Sequence, residues 1–554
     1  MKEIIVVLLS REIKLSKAEI GDLIEVPSNP ELGDFAFPCF SLAKELKKNP
    51  VQIAQEIVAK LKSKEFEKIE AKGPYINFFT NRKVVAEETV NRILKERGRY
   101  GSSKNGKGRK IVLDMSSPNI AKPFGIGHLR STIIGNSIAN ISSFLGYKPV
   151  KINYLGDWGT QFGKMIVGWK VAGDKSKLKK DPIKHMLELY ILGNKEEYED
   201  DARKWFKKLE DGDKEATSLW KMFKDLSLKE FDKLYAILKI NFDVISGESL
   251  YNNKMDDTIK ELRDKGLLEE SEGAMIVDLE KYNLGKCLIK KSDGATLYAT
   301  RDLTAAIDRF KKYKFVKMIY EVGQEQRLHF NQIFKVLELM DYPWAKDCIH
   351  VYHGLYLDED GKKFATRYGK TVFMNEILDE AISLARKEIK KREEVSVKEL
   401  EKRSEAIALA AIFYGDLKNF RGNDIVFNIE KFLSFEGDTG PYLLYSYARA
   451  RSILEKARYK PGKFNVNKIE DNEKKLMNDL AKFPHIVEKA YDQMSPNFIA
   501  NYAYQLSQVF NEFYHTNKVI GSDQEYFRLS LVDSFSVVIK NALQLLGIET
   551  LEKM

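Results

Sequence analysis

Residues 110–132, KIVLDMSSPNIAKPFGIGHLRST, set the reading of the chain. KIVLDM has the apolar density of a parallel strand buried on both faces. IIGNSIANISSFLG, directly after the quoted stretch, carries apolar residues at helical spacing, so a helix is expected over 128–145. KPVKINYLGDWG (148–159) reads as a second strand. Strand, helix and strand make one βαβ unit. Between strand and helix lie two glycines, a lysine and a histidine. The first turn of a helix presents unpaired N–H groups and the positive end of the dipole, which is an anion site. Gly125 and Gly127 remove the Cβ atoms that would keep a phosphate away, while Lys122 and His128 add a cation and a hydrogen-bond donor. The dinucleotide pattern G-x-G-x-x-G fails because Arg130 holds the third glycine's place, and the G-x-x-x-x-G-K-[ST] loop is absent. A nicotinamide or P-loop reading is therefore poor. Taken alone, the turn also fits a tight bend with a capping histidine packed by Trp158.

Working outward, GSSKNGKGRK (101–110) is glycine- and lysine-rich without periodicity and reads as a linker. Before it, helical stretches broken at Pro50 alternate with strand-like YINFFT. From about 170 to 245 the pattern is helical and highly charged, with Leu219, Phe223, Leu226 and Leu234 suiting one face. Strand-like runs return at CLIKK, VKMIYEVG and CIHVYHGLYL, and beyond about 380 every long segment is helical. The expected fold is α/β: a Rossmann-like, doubly wound parallel-sheet catalytic domain over 106–380. A helical insertion over about 165–285 interrupts it, an α+β domain precedes it (1–105), and an all-α bundle follows (381–554). No internal repeat of solenoid period is present.

A length of 554 residues suits three or four domains, and 44% hydrophobic with 31% charged residues describes an ordinary globular protein. No apolar run approaches the roughly 20 residues of a membrane span. The N-terminal IIVVLLS runs straight into Arg11 and Glu12 without a cleavage site, so no secretory signal is expected. Three scattered cysteines (Cys39, Cys287, Cys348) exclude a disulfide framework and a cysteine zinc site, which points to a reducing, cytoplasmic compartment. The net charge of +10, from 91 basic against 81 acidic residues, favours polyanionic partners only modestly.

SSPNIAKPFGIGHLRST followed by NYLGDWGTQFG resembles the catalytic signature of arginyl-tRNA synthetases, class I enzymes, with their "HIGH" element at Gly125-Ile126-Gly127-His128. DGATLYATRDLTAAIDRF (293–310), EVGQEQRLHF and DGKKFATRYGKTV (360–372) resemble the family's substrate segment and its degenerate "KMSK" loop. SFEGDTGPYLLYSYARARSI and the closing LLGIETLEKM resemble its anticodon-binding domain. The resemblance covers essentially the whole chain. It implies activation of L-arginine with ATP, accompanied by Mg²⁺, and transfer of arginine to tRNA-Arg.

The same resemblance implies site residues. His128 would contact ATP near the transferring phosphate. Lys122 would replace the missing second lysine of the KMSK loop and act with Arg367, while Lys370 reads as surface charge. Asp114, Asn119, Tyr298, Asp302 and Gln326 would bind L-arginine. Guanidinium needs a planar, bidentate carboxylate partner, and a carboxylate closing an apolar strand, as Asp114 does, is expensive unless paired. Tyr298 and Asp302, four apart, share a face if YATRD opens a helix; as alternatives, Tyr298 sits in the core and Asp302 caps the helix. In PYLLYSYARAR, aromatics and cations interleave as RNA stacking and phosphate contacts require, though Tyr445 and Tyr447 suit a core equally. The expected partners are tRNA-Arg, arginine and ATP, with no membrane, no zinc or other metal site, and a monomeric state. Gly125 stands in place of the signature's first histidine, so the alternative function is a catalytically impaired, synthetase-like tRNA-binding protein.

Overall fold

The computed structural model describes the chain except residues 28, 121, 292–297, 365, 368–369, 372, 465 and 467, together with the side chains at 30, 82, 85, 86, 366, 367, 370 and 371. It divides into two compact units. One comprises Met1–Arg97 with Ile453–Lys482 and Gln508–Val538. Its antiparallel sheet runs in the order Phe35–Pro38, Tyr75–Thr80, Phe66–Lys72. Helix Pro50–Val58 covers the sheet, starting where Pro50 lacks an N–H that a helix cannot use and Asn49 accepts from the Val51 N–H.

The second unit, Gly98–Ser452 with Phe483–Ser507 and Ile539–Met554, holds a five-stranded sheet, all parallel. Its order is Cys348–His353, Lys317–Gly323, Lys110–Asp114, Lys148–Leu155, Val244–Gly247. From the central strand the chain winds first to one side and then to the other. The order therefore reverses between Lys110–Asp114 and Lys317–Gly323, where doubly wound sheets bind ligands at their carboxyl ends. The signature helix, Ile126–Phe144, follows the central strand.

The parallel sheet is rejoined at Val244–Gly247, earlier than the sequence suggests, and CLIKK lies instead in an antiparallel sheet of Glu269–Ser271, Ala274–Asp278 and Lys286–Lys290. The physical reason is that VISG is a four-residue edge strand with Ile245 exposed, so it lacks the apolar run of a central strand. The inserted helices span Thr160–Leu238. On the long helix Lys214–Leu238 the buried stripe is Ala216, Phe223, Ser227, Phe231, Tyr235 and Leu238, while Leu219, Leu226 and Leu234 flank it half-buried. Aromatic residues and a serine, rather than leucines alone, face inward there. Beyond residue 380 the long elements are helices. Among the described residues no helix is long and apolar enough to cross a membrane.

Candidate active site

The turn after the central strand is backbone-strained. Ser116 and Ser117 have φ of 73° and 46°, a region costly for residues with a side chain. Hydrogen bonds hold them there: Ser131 Oγ accepts from the Ser116 N–H (2.9 Å), Ser116 Oγ pairs with the Tyr235 hydroxyl (2.7 Å), and Ser117 Oγ donates to Asp114 (3.0 Å). The loop then passes Asn119, bridged to Gly156, and enters the signature helix with Gly125 as N-cap. Gly156 packs on the Asn119 amide so closely that a Cβ there would lie 2.2 Å from Oδ1. At Gly127 a Cβ would meet nothing within 4 Å, so the space before the helix N-terminus is open.

His128 stands in the first turn and its Nδ1 accepts from the Gly125 N–H at 3.1 Å. Burial, then the nearby His353 and Lys122, push its pKa down to about 4. The ring is therefore neutral at pH 7, and with Nδ1 accepting, its proton sits on Nε2. Phe124 packs on it at 5.3 Å, whereas Trp158 packs edge-on against Phe206 and Trp220 of the insertion. A cleft of about 510 Å³ opens here, bordered by Gly125, Gly127, His128, Gln326, His353 and Lys363. Lys122 sits close to His128, but its ammonium lies over the Tyr190 ring at 5.3 Å. The segment Thr366–Arg367 pairs with Lys370–Thr371, and the Arg367 and Lys370 side chains lie outside the described residues.

A second cavity, about 390 Å³, adjoins the first and shares Ser117, Asn119, Val322 and Gln326 with it. Asp114, Tyr298 and Asp302 border this one. Tyr298 is 62% exposed, so it is no core residue. The Asp302 carboxylate bonds His329 Nε2 at 2.7 Å, five residues into helix Tyr298–Tyr313, rather than capping it. Asp114 is paired, as its burial demands, but with an internal partner: Arg309 Nη1 lies 2.8 Å away. The Arg309 guanidinium is buried between the rings of Tyr154 and Tyr320 (4.9 and 5.7 Å to the ring centres). Burial pushes the Asp114 carboxyl upward, and Arg309 opposes it.

Residues 89–429 match the family described as class I tRNA synthetases (R), catalytic domain; 2–80 match the arginyl tRNA synthetase N-terminal domain, and 443–554 the DALR anticodon-binding domain. The chain is 47% identical, over 97% of its length and 96% of the relative's, to an arginine–tRNA ligase of Streptococcus suis. It belongs to the arginyl-tRNA synthetase family. An arginine–tRNA ligase of Halothermothrix orenii is 45% identical, covering 100% of this chain and 99% of the relative. The Thermus thermophilus arginyl-tRNA synthetase structure shares the fold, with TM-score 0.80, 24% identity, 100% of this chain and 99% of that one covered. The Plasmodium falciparum enzyme gives TM-score 0.77 at 26% identity, over 96% and 94%.

Several residues of the candidate site carry no signature in sequence. Glu248, just after the edge strand, borders the second cavity. Burial raises its pKa to about 7; Arg301 opposes the rise, and Asp302 and Asp157 add to it. Asp157, fully buried, accepts from Lys224 Nζ (2.6 Å), the Ser249 N–H (2.8 Å) and Ser249 Oγ (2.7 Å), which ties the inserted helices to the loop carrying Glu248. Arg130, also fully buried, pairs with Asp416 at 2.9 Å and donates to the Asn423 carbonyl at 2.9 Å. Tyr356, bordering the first cleft, donates to the same Asp416. Only the "G" and "D" of short turns and an "R" after the signature histidine mark these positions, and their partners lie far away in sequence. In PYLLYSYARAR, Tyr447 is core and bonds Glu552, while Tyr445 is partly exposed with Arg449 over its ring at 4.8 Å.

Proposed function

We propose that the chain is an arginine–tRNA ligase whose two adjoining cavities bind ATP and L-arginine. The observation that supports this best is the shared wall. A helix N-terminus open to phosphate borders one side, three carboxylates border the other, and Ser117, Asn119, Val322 and Gln326 stand between. In this reading the guanidinium of arginine lies among Asp302, Glu248 and Tyr298, and Asn119 and Gln326 hold its α-carboxylate toward the ATP cleft. Asp114, bonded to Arg309, shapes the pocket floor. The α-carboxylate oxygen attacks the α-phosphorus and pyrophosphate leaves, forming arginyl-adenylate. A ribose hydroxyl of the tRNA's terminal adenosine then attacks the carbonyl carbon, and AMP departs. Catalysis is positioning and charge stabilisation. His128, neutral with its proton on Nε2, donates to phosphate oxygen, the Gly127 N–H and the helix dipole add to it, and Lys122 and Arg367 supply cations on the pyrophosphate side. Mg²⁺ enters with ATP as part of the substrate.

The domain division at about 105 and 380, a cytoplasmic location and a monomeric working state belong to the same proposal, with residues 381–554 reading the anticodon. The retained arginine pocket speaks against a catalytically impaired RNA binder, which has no use for one. Replacing Asp302 by Asn tests the assignment. It removes one charge-assisted bond to guanidinium, worth about 1.5–3 kcal/mol. Arginine KM in ATP–pyrophosphate exchange with tRNA-Arg present then rises about 10- to 150-fold while ATP KM stays put. An unchanged arginine KM removes Asp302 from the pocket.

A further inference from the structure

We propose that His353 is a hydrogen-bond acceptor that reads the nucleoside of ATP, with Glu321 as the positioning residue that fixes its tautomer. The inference rests on assigning the first cleft to ATP.

Glu321 and His353 lie on the neighbouring parallel strands Lys317–Gly323 and Cys348–His353, beside the switch point of the sheet. Glu321 pairs in register with Val351, so His353 is its diagonal neighbour on the same sheet face. His353 Nδ1 lies 3.0 Å from Glu321 Oε1. A carboxylate only accepts, so Nδ1 carries the proton in the neutral ring and Nε2 keeps its lone pair. Among the described residues Nε2 has no hydrogen-bond partner, and the ring forms part of the cleft wall that also holds Gly125 and His128. The two histidines thus have opposite polarity. His128 accepts at Nδ1 and offers Nε2–H, suited to phosphate. His353 donates at Nδ1 and offers a lone pair, suited to an N–H or O–H donor, which ATP carries only on its adenine amine and ribose hydroxyls.

Glu321 is fully buried and its Oε2 has no hydrogen-bond partner. A buried carboxylate in that state costs several kcal/mol. Its protein partner is the His353 imidazole, which faces the cleft. Arg421, whose charge interacts with that of Glu321, spends its guanidinium on the Tyr352 and Met494 carbonyls (2.7 and 3.0 Å). A purely structural pin between two strands would serve as well with an apolar pair of similar volume.

The experiment is ATP–pyrophosphate exchange on the full chain in the presence of tRNA-Arg, wild type against His353→Phe and Glu321→Gln. The nucleotides are ATP, 2′-deoxy-ATP, 3′-deoxy-ATP and purine riboside triphosphate, which lacks the amine. In the wild type, the analogue missing the donor read by His353 has a KM about tenfold above that of ATP, about 1.4 kcal/mol. In His353→Phe the ATP KM rises by the same factor, arginine KM stays within twofold, and ATP no longer beats that analogue. Glu321→Gln moves the same ratio in the same direction by a smaller factor. The inference is overturned by a His353→Phe ATP KM within twofold of wild type, by analogue discrimination that survives the substitution, or by ATP and arginine KM rising together. If His353→Phe does not reach wild-type melting temperature, His353→Asn, too short to reach the nucleoside, is read by the same criteria. Failure of the ligase reading itself looks different: with tRNA-Arg present, the wild type then shows no ATP-dependent exchange at all.

Discussion

With arginine placed beside Glu248 as proposed, its binding is expected to depend on pH, with a definite sign. Burial lifts its pKa to about 7, so in the empty pocket the carboxyl takes up a proton well above the ordinary carboxylate range. Guanidinium binds the ionised form. Arginine affinity therefore rises with pH up to about 7 and levels off above it. With binding restricted to the ionised form, the apparent KM scales as 1 + 10^(pKa − pH), so it is about tenfold higher at about pH 6 than at about pH 8. The folded protein responds in the opposite direction. Between the ordinary glutamate value of 4.5 and about 7 the native state binds the extra proton, so this group's contribution to stability declines as pH rises through that window. The assay is pyrophosphate exchange with tRNA-Arg and saturating ATP, arginine varied, from about pH 6 to about pH 8, run on wild type and Glu248→Gln. The variant has a raised arginine KM and a flattened pH profile. A wild-type KM that falls as pH is lowered, or a slope that Glu248→Gln leaves untouched, refutes the reasoning.

Two further substitutions probe the scaffold. Gly156→Ala drives a methyl to 2.2 Å from Asn119 Oδ1 and displaces that amide from the wall between the cavities, so kcat/KM for arginine falls about 10- to 100-fold with little change in melting temperature; unchanged kinetics would remove Asn119 from substrate positioning. Arg130→Met leaves Asp416 buried without its cation and costs about 3–5 kcal/mol in denaturant unfolding, and adding Asp416→Asn recovers part of the loss; a stable single variant would show that the pair holds nothing.

The central strand, the signature helix and the second strand were legible because apolar density and helical spacing are local properties. The strand Val244–Gly247 was not, since a four-residue edge with an exposed isoleucine looks like loop. Glycines at 125 and 127, His128, and Asp302 four after Tyr298 stood out by spacing; the first three line one cleft, and Tyr298 and Asp302 line the other. Pair identity was out of reach. That Asp114 needs a partner follows from its strand, but that the partner is Arg309, 195 positions on, follows only from the packing of helix Tyr298–Tyr313 beneath the sheet. The destination of Lys122 over Tyr190 depends on where the insertion folds back, and Glu248 acquires its raised pKa from burial that no local pattern announces.

The measurement that tests the central claim most directly is arginine charging: purified protein, ATP with Mg²⁺, labelled L-arginine, and a tRNA-Arg transcript against a non-cognate tRNA. The account predicts arginine esterified to tRNA-Arg and pyrophosphate exchange that depends on that tRNA, with neither reaction on the non-cognate species. A fully folded protein that binds tRNA-Arg but neither esterifies arginine nor exchanges pyrophosphate would contradict it.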